Sequence, residues 1–329
     1  GQAYVTECPA VSGGPKVRLD LNPPSGTTKL QWALMSDFSD QTEVNWDALN
    51  PPEVDLGTAS GTVKVYVKYF VPTNLPQWTD PFSAGVFVDR EVPVVDAAVV
   101  QNDPPYLTPT RTYMQLSVQA HDPLSNGETG SGAKKYALVV GGGGCPADGA
   151  AYSLTPADIE SGSELSVQVV SNPGLETEGT KTVRVCVRDG AGNLAAWVDR
   201  TIDFDKTAPV AGTFGFYLDR TDLTAETLVN TRNVVLKAAV TTDHAPLSGV
   251  AYATQGFDCD TATYEMPDVL SDTPSGTQHA YVIAKDWMLS GSDGTKKANL
   301  CLKDLAGNVT GASTETSPTV VLDTGAPTT

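Results

Sequence analysis

Residues 180–193, TKTVRVCVRDGAGN, closed by DFDKTAP at 203–209, return as TKKANLCLKDLAGN at 295–308, closed by VLDTGAP at 321–327. A weaker copy lies nearer the N-terminus, where GTVKVYVKYF at 61–70 leads to VFVDREVP at 86–93. Cys186 and Cys301 are 115 residues apart, Asp205 and Asp323 are 118 apart, and Asp89 and Asp205 are 116 apart. A period this long is a domain, not a solenoid turn. The reading is three tandem domains, 1–92, 93–208 and 209–329, divided just before Pro93 and Pro209.

VRVCV at 183–187 alternates strictly, with Val183, Val185 and Val187 on one face and Arg184, Cys186 and Arg188 on the other. That is the signature of a half-buried antiparallel strand, and it puts Cys186 on the outer side of its sheet. Similar runs begin at Val17, Met114 and Val234, and others surround Trp32, Tyr136 and Tyr252, each of those aromatics being followed by Ala. Another pair, from Glu164 and His279, precedes the cysteine strand, and Pro, Gly, Asp and Ser punctuate all of them. About seven short strands per domain, with no long helix, predict an all-β chain of immunoglobulin-like Greek-key sandwiches. The D-x-A-G-N segments suit a hairpin loop: Gly and Asn tolerate positive φ, and Asp accepts turn amides. In the first copy this loop is replaced by the longer YFVPTNLPQWTDPF at 69–82.

Cysteine usage follows the repeat. Cys145 and Cys186 correspond to Cys259 and Cys301, whereas the first copy has Tyr66 at the position of Cys186 and no cysteine near Phe38. Joint absence predicts bonds Cys145–Cys186 and Cys259–Cys301, each closing a loop of about 40 residues and worth roughly 4 kcal/mol in the chain-entropy account. Two such bridges imply an oxidising compartment, hence an extracellular or cell-surface location. Cys8 is left over, as a free thiol or the partner of a missing segment.

The net charge of -18 is spread over all three copies without a basic stripe. Such a surface repels phosphate backbones, so nucleic acid is excluded as a partner. No run of 18 apolar residues predicts membrane insertion. The opening at Gly1 suits processing, and the closing tag suggests that further repeats follow.

The D-x-A-G-N turn after a Val-rich strand, followed by D-x-x-A-P, resembles the bacterial immunoglobulin-like repeats of large surface adhesins and other secreted multidomain proteins. The resemblance covers the second and third copies, and the first keeps only Asp89, Pro93 and the strand pattern. It implies that the junction aspartates Asp89, Asp205 and Asp323 hold calcium and stiffen the array. The residues themselves extend this set. HDPLS at 121–125 and HAPLSG at 244–249 fall at the pole of the D-x-A-G-N loops, so Asp122 is expected to face Asp189, and Asp243 to face Asp304. Calcium wants six to eight oxygens, which such loops can supply. The competing reading is that these aspartates only cap turns, since no dense D-x-D-x-D-G pattern occurs.

His121 and His244 read as loop packing, and without H-E-x-x-H or C-x-x-C no zinc site is expected. There is no G-x-S-x-G and no P-loop, so no enzyme is expected. Phe70 and Trp78 in the irregular loop, and Trp46 in another, are candidate contacts for a sugar or a partner's pocket, or else an apolar plug. The favoured reading is a non-catalytic adhesive array meeting a protein or glycan receptor or neighbouring copies. The alternative is a set of accessory domains from a secreted hydrolase.

Overall fold

The computed structural model describes residues 16–326 other than 20, 59, 125, 126, 128, 156–158, 172–175, 196, 255–257 and 311–316. Cys8 lies outside the described residues. Among them, regular structure is β throughout apart from one 3-10 turn at Gly149–Ala151.

In the first copy, strands Thr42–Asn45, Lys29–Ala33, Gly61–Phe70 and Phe82–Val88 form an antiparallel sheet in that order, and Lys16–Arg18 pairs with Glu53–Asp55 in a second. Alternation sends Val65, Val67 and Tyr69 inward with Leu30, Val54, Leu56 and Val88, a core drawn from both sheets. Burying each such aliphatic is worth about 1.5–3 kcal/mol. The run expected from Val17 is short here: the strand ends at Arg18, and the Leu19 amide bonds the Pro52 carbonyl instead.

In the second copy, Tyr113–His121 lies between Ser163–Gln168 and Val94–Val100. Met114, Leu116, Val118 and Ala120 are all fully buried along one of its faces. The other sheet runs in the order Ser153–Leu154, Ala133–Val140, Gly179–Asp189, Val198–Phe204 and Tyr106–Leu107. The third copy repeats the plan. Val210–Tyr217, Asn233–Thr242, Gln278–Met288 and Asp268–Ser275 make one sheet, while Leu247–Ala253 pairs with Asn299–Asp304 and Thr319–Leu322 runs between Leu228–Val229 and Gly294–Lys297. Ala238, Val240 and Ile283 meet Val250, Leu300 and Leu302 in a core between sheets, as an immunoglobulin-like sandwich requires.

The strand register tests the internal alignment. Ala33 opposes Tyr66, Ala137 opposes Cys186, and Ala251 opposes Cys301, so the alanine of each aromatic-Ala strand meets the same position of the long strand in all three copies.

Both disulfides form as expected, Cys145–Cys186 and Cys259–Cys301. They sit on the face away from the valines but are not exposed: Cys186 packs with Ala137 and Tyr152, and Cys301 with Ala251 and Cys259. In the first copy the buried Phe38 occupies this region, with the Lys68 ammonium 3.9 Å from its ring centre.

The chain divides into two compact units: residues 1–99, 116–165 and 183–200, and residues 100–115, 166–182 and 201–329. The division passes through the second copy. Each acidic cluster described next lies wholly inside one unit.

Candidate metal centres

Each cysteine strand ends in an aspartate whose side chain is consumed by the turn that follows. Asp189 Oδ1 accepts the Asn193 amide at 2.8 Å and its Oδ2 accepts Asn193 Nδ2 at 2.7 Å. Asp304 repeats this with Asn308 at 2.8 and 2.9 Å. The D-x-A-G-N motif is therefore a carboxylate-centred cap in which Gly192 and Gly307, at φ +97° and +101°, take the left-handed backbone the turn requires.

The junction aspartates share a second device. Asp89, Asp205 and Asp323 each accept the amide two residues on, from Glu91, Thr207 and Gly325, at 3.2, 3.0 and 3.1 Å. The first two also reach into the next copy. Asp89 Oδ2 accepts the Ser131 amide at 2.6 Å, and Asp205 Oδ2 accepts the Ala245 amide at 2.9 Å.

In the first unit these pieces converge. Carboxylate oxygens of Asp89, Asp122 and Asp189 lie within 4.8 Å of one another, and all three residues are buried. Asp122 Oδ2 accepts the Gly132 amide at 2.7 Å, but its Oδ1 is sealed from solvent and, among the described residues, accepts no hydrogen bond. Room for this carboxylate exists because residue 130 is glycine: a Cβ there would sit 2.4 Å from Asp122 Oδ2. No lysine or arginine forms an ion pair with the three aspartates among the described residues. Burial pushes Asp122 up to about 7, reinforced by the charges of Asp89 and Asp189 and opposed by the Gly132 amide. Burial likewise raises Asp189, against its bonds from Asn193.

The second unit has the same frame with different occupants. Asp205 and Asp304 are buried, and burial raises both; Asp205 reaches about 7, with the charges of Asp304, Asp243 and Glu178 adding to the effect. Asp243, expected to face Asp304, gathers with Glu178 and His244, their ligand atoms within 4.8 Å and all three half-buried. Sequence reasoning missed Glu178, which belongs to the stretch before the cysteine strand and aligns with Asp293 of the third copy, whose carboxylate likewise accepts the amide after a junction aspartate, that of Thr324, at 2.8 Å. Its Oε1 accepts the Lys206 amide at 2.8 Å and the Thr207 hydroxyl at 2.7 Å. Burial would raise Glu178, but these two donors hold it below the ordinary glutamate value. His244, read as a packing residue, stands among carboxylates because the loop after Asn233–Thr242 meets that stretch. Asp323 joins no such group among the described residues.

The aromatic candidates separate. Phe70 and Trp78 form an isolated bridge with ring centres 5.1 Å apart, both half-buried. Trp46 instead packs on the first-copy core with Val44. Strand parity explains the split, since Tyr69 faces the core and Phe70 does not.

No family model matches the chain. No curated protein matches it either. Among solved structures it is similar to one from a 1.5-MDa bacterial ice-binding adhesin, at 13% identity and TM-score 0.38 over 89% of this chain and 84% of that one. It is also similar to a Ca2+-stabilized adhesin with which an Antarctic bacterium binds ice (12%, 0.33, 90% and 65%) and to the FN1-FN3 domains of chicken CNTN1 (8%, 0.33, 94% and 97%). At such identities a likeness concerns the fold alone. Among the described residues no helix is long and apolar enough to cross a membrane.

Proposed function

We propose that the chain is a non-catalytic extracellular segment of three immunoglobulin-like domains, 1–92, 93–208 and 209–329, in which calcium locks the first domain to the second through Asp89, Asp122 and Asp189. The observation that carries this reading is the buried Asp122 Oδ1, which accepts no hydrogen bond among the described residues and lies beside two more buried carboxylates that no described lysine or arginine pairs with. Leaving such an atom unpaired costs about 1–3 kcal/mol, and more when it is charged. A hard divalent cation that takes only oxygen ligands removes that cost and the mutual repulsion together. Capping alone accounts for Asp189 but not for Asp122.

The residues themselves do the positioning. The Ser131 and Gly132 amides hold Asp89 and Asp122, and Asn193 holds Asp189 while donating to the Asp89 carbonyl at 3.2 Å. Loops of the second domain thus already grip the end of the first. Calcium would stabilise this grip by about 2.7 kcal/mol at a concentration one hundred times its dissociation constant. The acidic surface and two disulfides suit a secreted or surface protein.

Chelator-treated protein should take up calcium, melt several degrees higher with it, and show slower exchange of the Ser131 and Gly132 amides. No uptake and no change in melting would end the proposal.

A receptor contact belongs, in this reading, to the Phe70–Trp78 pair on the outer face of the first domain, with a protein or glycan as partner. Trp78→Ala should weaken binding to cell surfaces or glycans while costing little stability. Lost stability with unchanged binding would make the pair a plug.

A further inference from the structure

The molecule carries 21 lysines and arginines against 39 acids, so two cations seated side by side are unexpected. Two of them nevertheless converge in the first unit. Lys135 and Arg188 are direct cross-strand partners. Like charges in that arrangement repel each other and destabilise a sheet. Their heads meet over Gly149, where an added Cβ would lie 3.6 Å from Arg188 Nη1 and 3.9 Å from Lys135 Nζ. Neither forms an ion pair among the described residues.

The arginine is held in place before any ligand arrives. Its Nη2 donates to the Ala147 carbonyl at 2.8 Å, and its guanidinium carbon lies 4.8 Å from the centre of the Tyr152 ring. Tyr152 is buried against the Cys145–Cys186 disulfide, and its hydroxyl donates to the Pro146 carbonyl at 3.1 Å. The Arg188 Nε is shielded from solvent and has no acceptor among the described residues. Both residues line an open cavity of about 860 Å³, with Lys134 on the same wall. A register irregularity between Ala133 and Lys135 sets Lys134 out of the regular ladder.

Acids line the cavity too, and they do not neutralise this pair. Asp189 is occupied by Asn193, Asp148 Oδ1 accepts the Ala150 amide at 2.8 Å, and Glu160 forms no ion pair among the described residues.

We propose that this cavity binds the oxyanion, carboxylate or sulfate, of a small polar ligand, received by Arg188 and Lys135 over the floor at Gly149. An oxyanion would satisfy the Arg188 Nε, relieve the Lys135–Arg188 repulsion, and exploit the planar donor fork that suits such groups. The cavity lies within the 300–1,000 Å³ typical of small-molecule sites, so an acidic sugar fits where a single ion would leave space.

The test is an NMR titration of the isotope-labelled full chain with D-glucuronate, and separately with inorganic sulfate, in 0.15 M chloride, with glucose as the neutral control. The Arg188 Nε–H signal and the Gly149 amide report binding. At least one oxyanion should give saturable shifts at both reporters while glucose gives none, and Lys135→Glu should weaken that binding at least tenfold with Arg188 still present as reporter. Should Lys135→Glu fail to fold, Lys135→Gln serves, with at least threefold weakening expected. Absence of saturable shifts with both oxyanions, equal response to glucose, or unchanged affinity in the Lys135 variant would overturn the proposal.

Discussion

The two acidic clusters differ in what surrounds an otherwise shared frame. In both units an aspartate closes one copy, bonds the amide two residues on, and reaches an amide of the next copy, while a second aspartate is capped by the Asn of D-x-A-G-N. In the first unit the aspartate after Tyr113–His121, Asp122, is drawn into that frame and buried there with one oxygen that accepts no hydrogen bond among the described residues. In the second unit its counterpart Asp243 is half-buried beside His244 and Glu178. The difference teaches that the repeated motif builds the scaffold, and that residues outside that motif, such as Gly130 and Glu178, decide which carboxylates share it.

The comparison breaks most sharply at Gly130. Gly130→Ala forces a Cβ into the Asp122 carboxylate. It should cost about 1–3 kcal/mol, as overpacking does, and abolish the calcium-dependent rise in melting temperature, checked by calorimetry with and without chelator. An unchanged calcium response would show that Asp122 is not part of the site.

Proton linkage gives the next largest effect. Asp122 and Asp205 are raised to about 7 in the folded chain, against about 3.9 unfolded. Between those values the folded state holds more protons, so stability of the metal-free protein should fall as pH rises from about 4 to about 7. A melting temperature lower by about 5 °C at pH 7.5 than at pH 5 is the expected size. Calcium should erase more of that loss in the first unit than in the second.

The caps are the control. Asn193→Ala and Asn308→Ala each remove the Nδ2 bond to the capped aspartate while keeping the backbone amide bond, and each should cost about 1 kcal/mol in urea unfolding. Asn193 should cost slightly more, because it also donates to the Asp89 carbonyl. The smallest effect belongs to His244→Ala, which should change stability by under about 1 kcal/mol and leave calcium uptake by the first unit untouched. Loss of that uptake would mean that the two clusters are not independent.

Much of this was legible in the sequence because repetition made it so. The disulfide pairing and the turn at D-x-A-G-N follow from aligned copies, and the structure agrees with that alignment by placing Ala33, Ala137 and Ala251 opposite Tyr66, Cys186 and Cys301. What escaped depends on which loops meet. Glu178 aligns with Asp293, but its approach to Asp243 depends on loops far apart in the chain. The orphaned oxygen of Asp122 is a property of packing that no spacing reveals. Trp46 did carry a signal: it continues the alternation of Val44, which opposes the buried Leu30, so parity alone assigns it to the core face. The covered disulfides were half legible, since alternation gave the face but not the overlying segment that includes Tyr152.

The central claim, that Asp89, Asp122 and Asp189 form a calcium site, is tested most directly by calorimetric titration of calcium into chelator-treated wild type and Asp122→Asn. The account predicts saturable uptake by wild type and the loss of one bound calcium per chain in the variant, whose fold persists because the asparagine keeps an acceptor for the Gly132 amide. Identical titrations for the two proteins would contradict it.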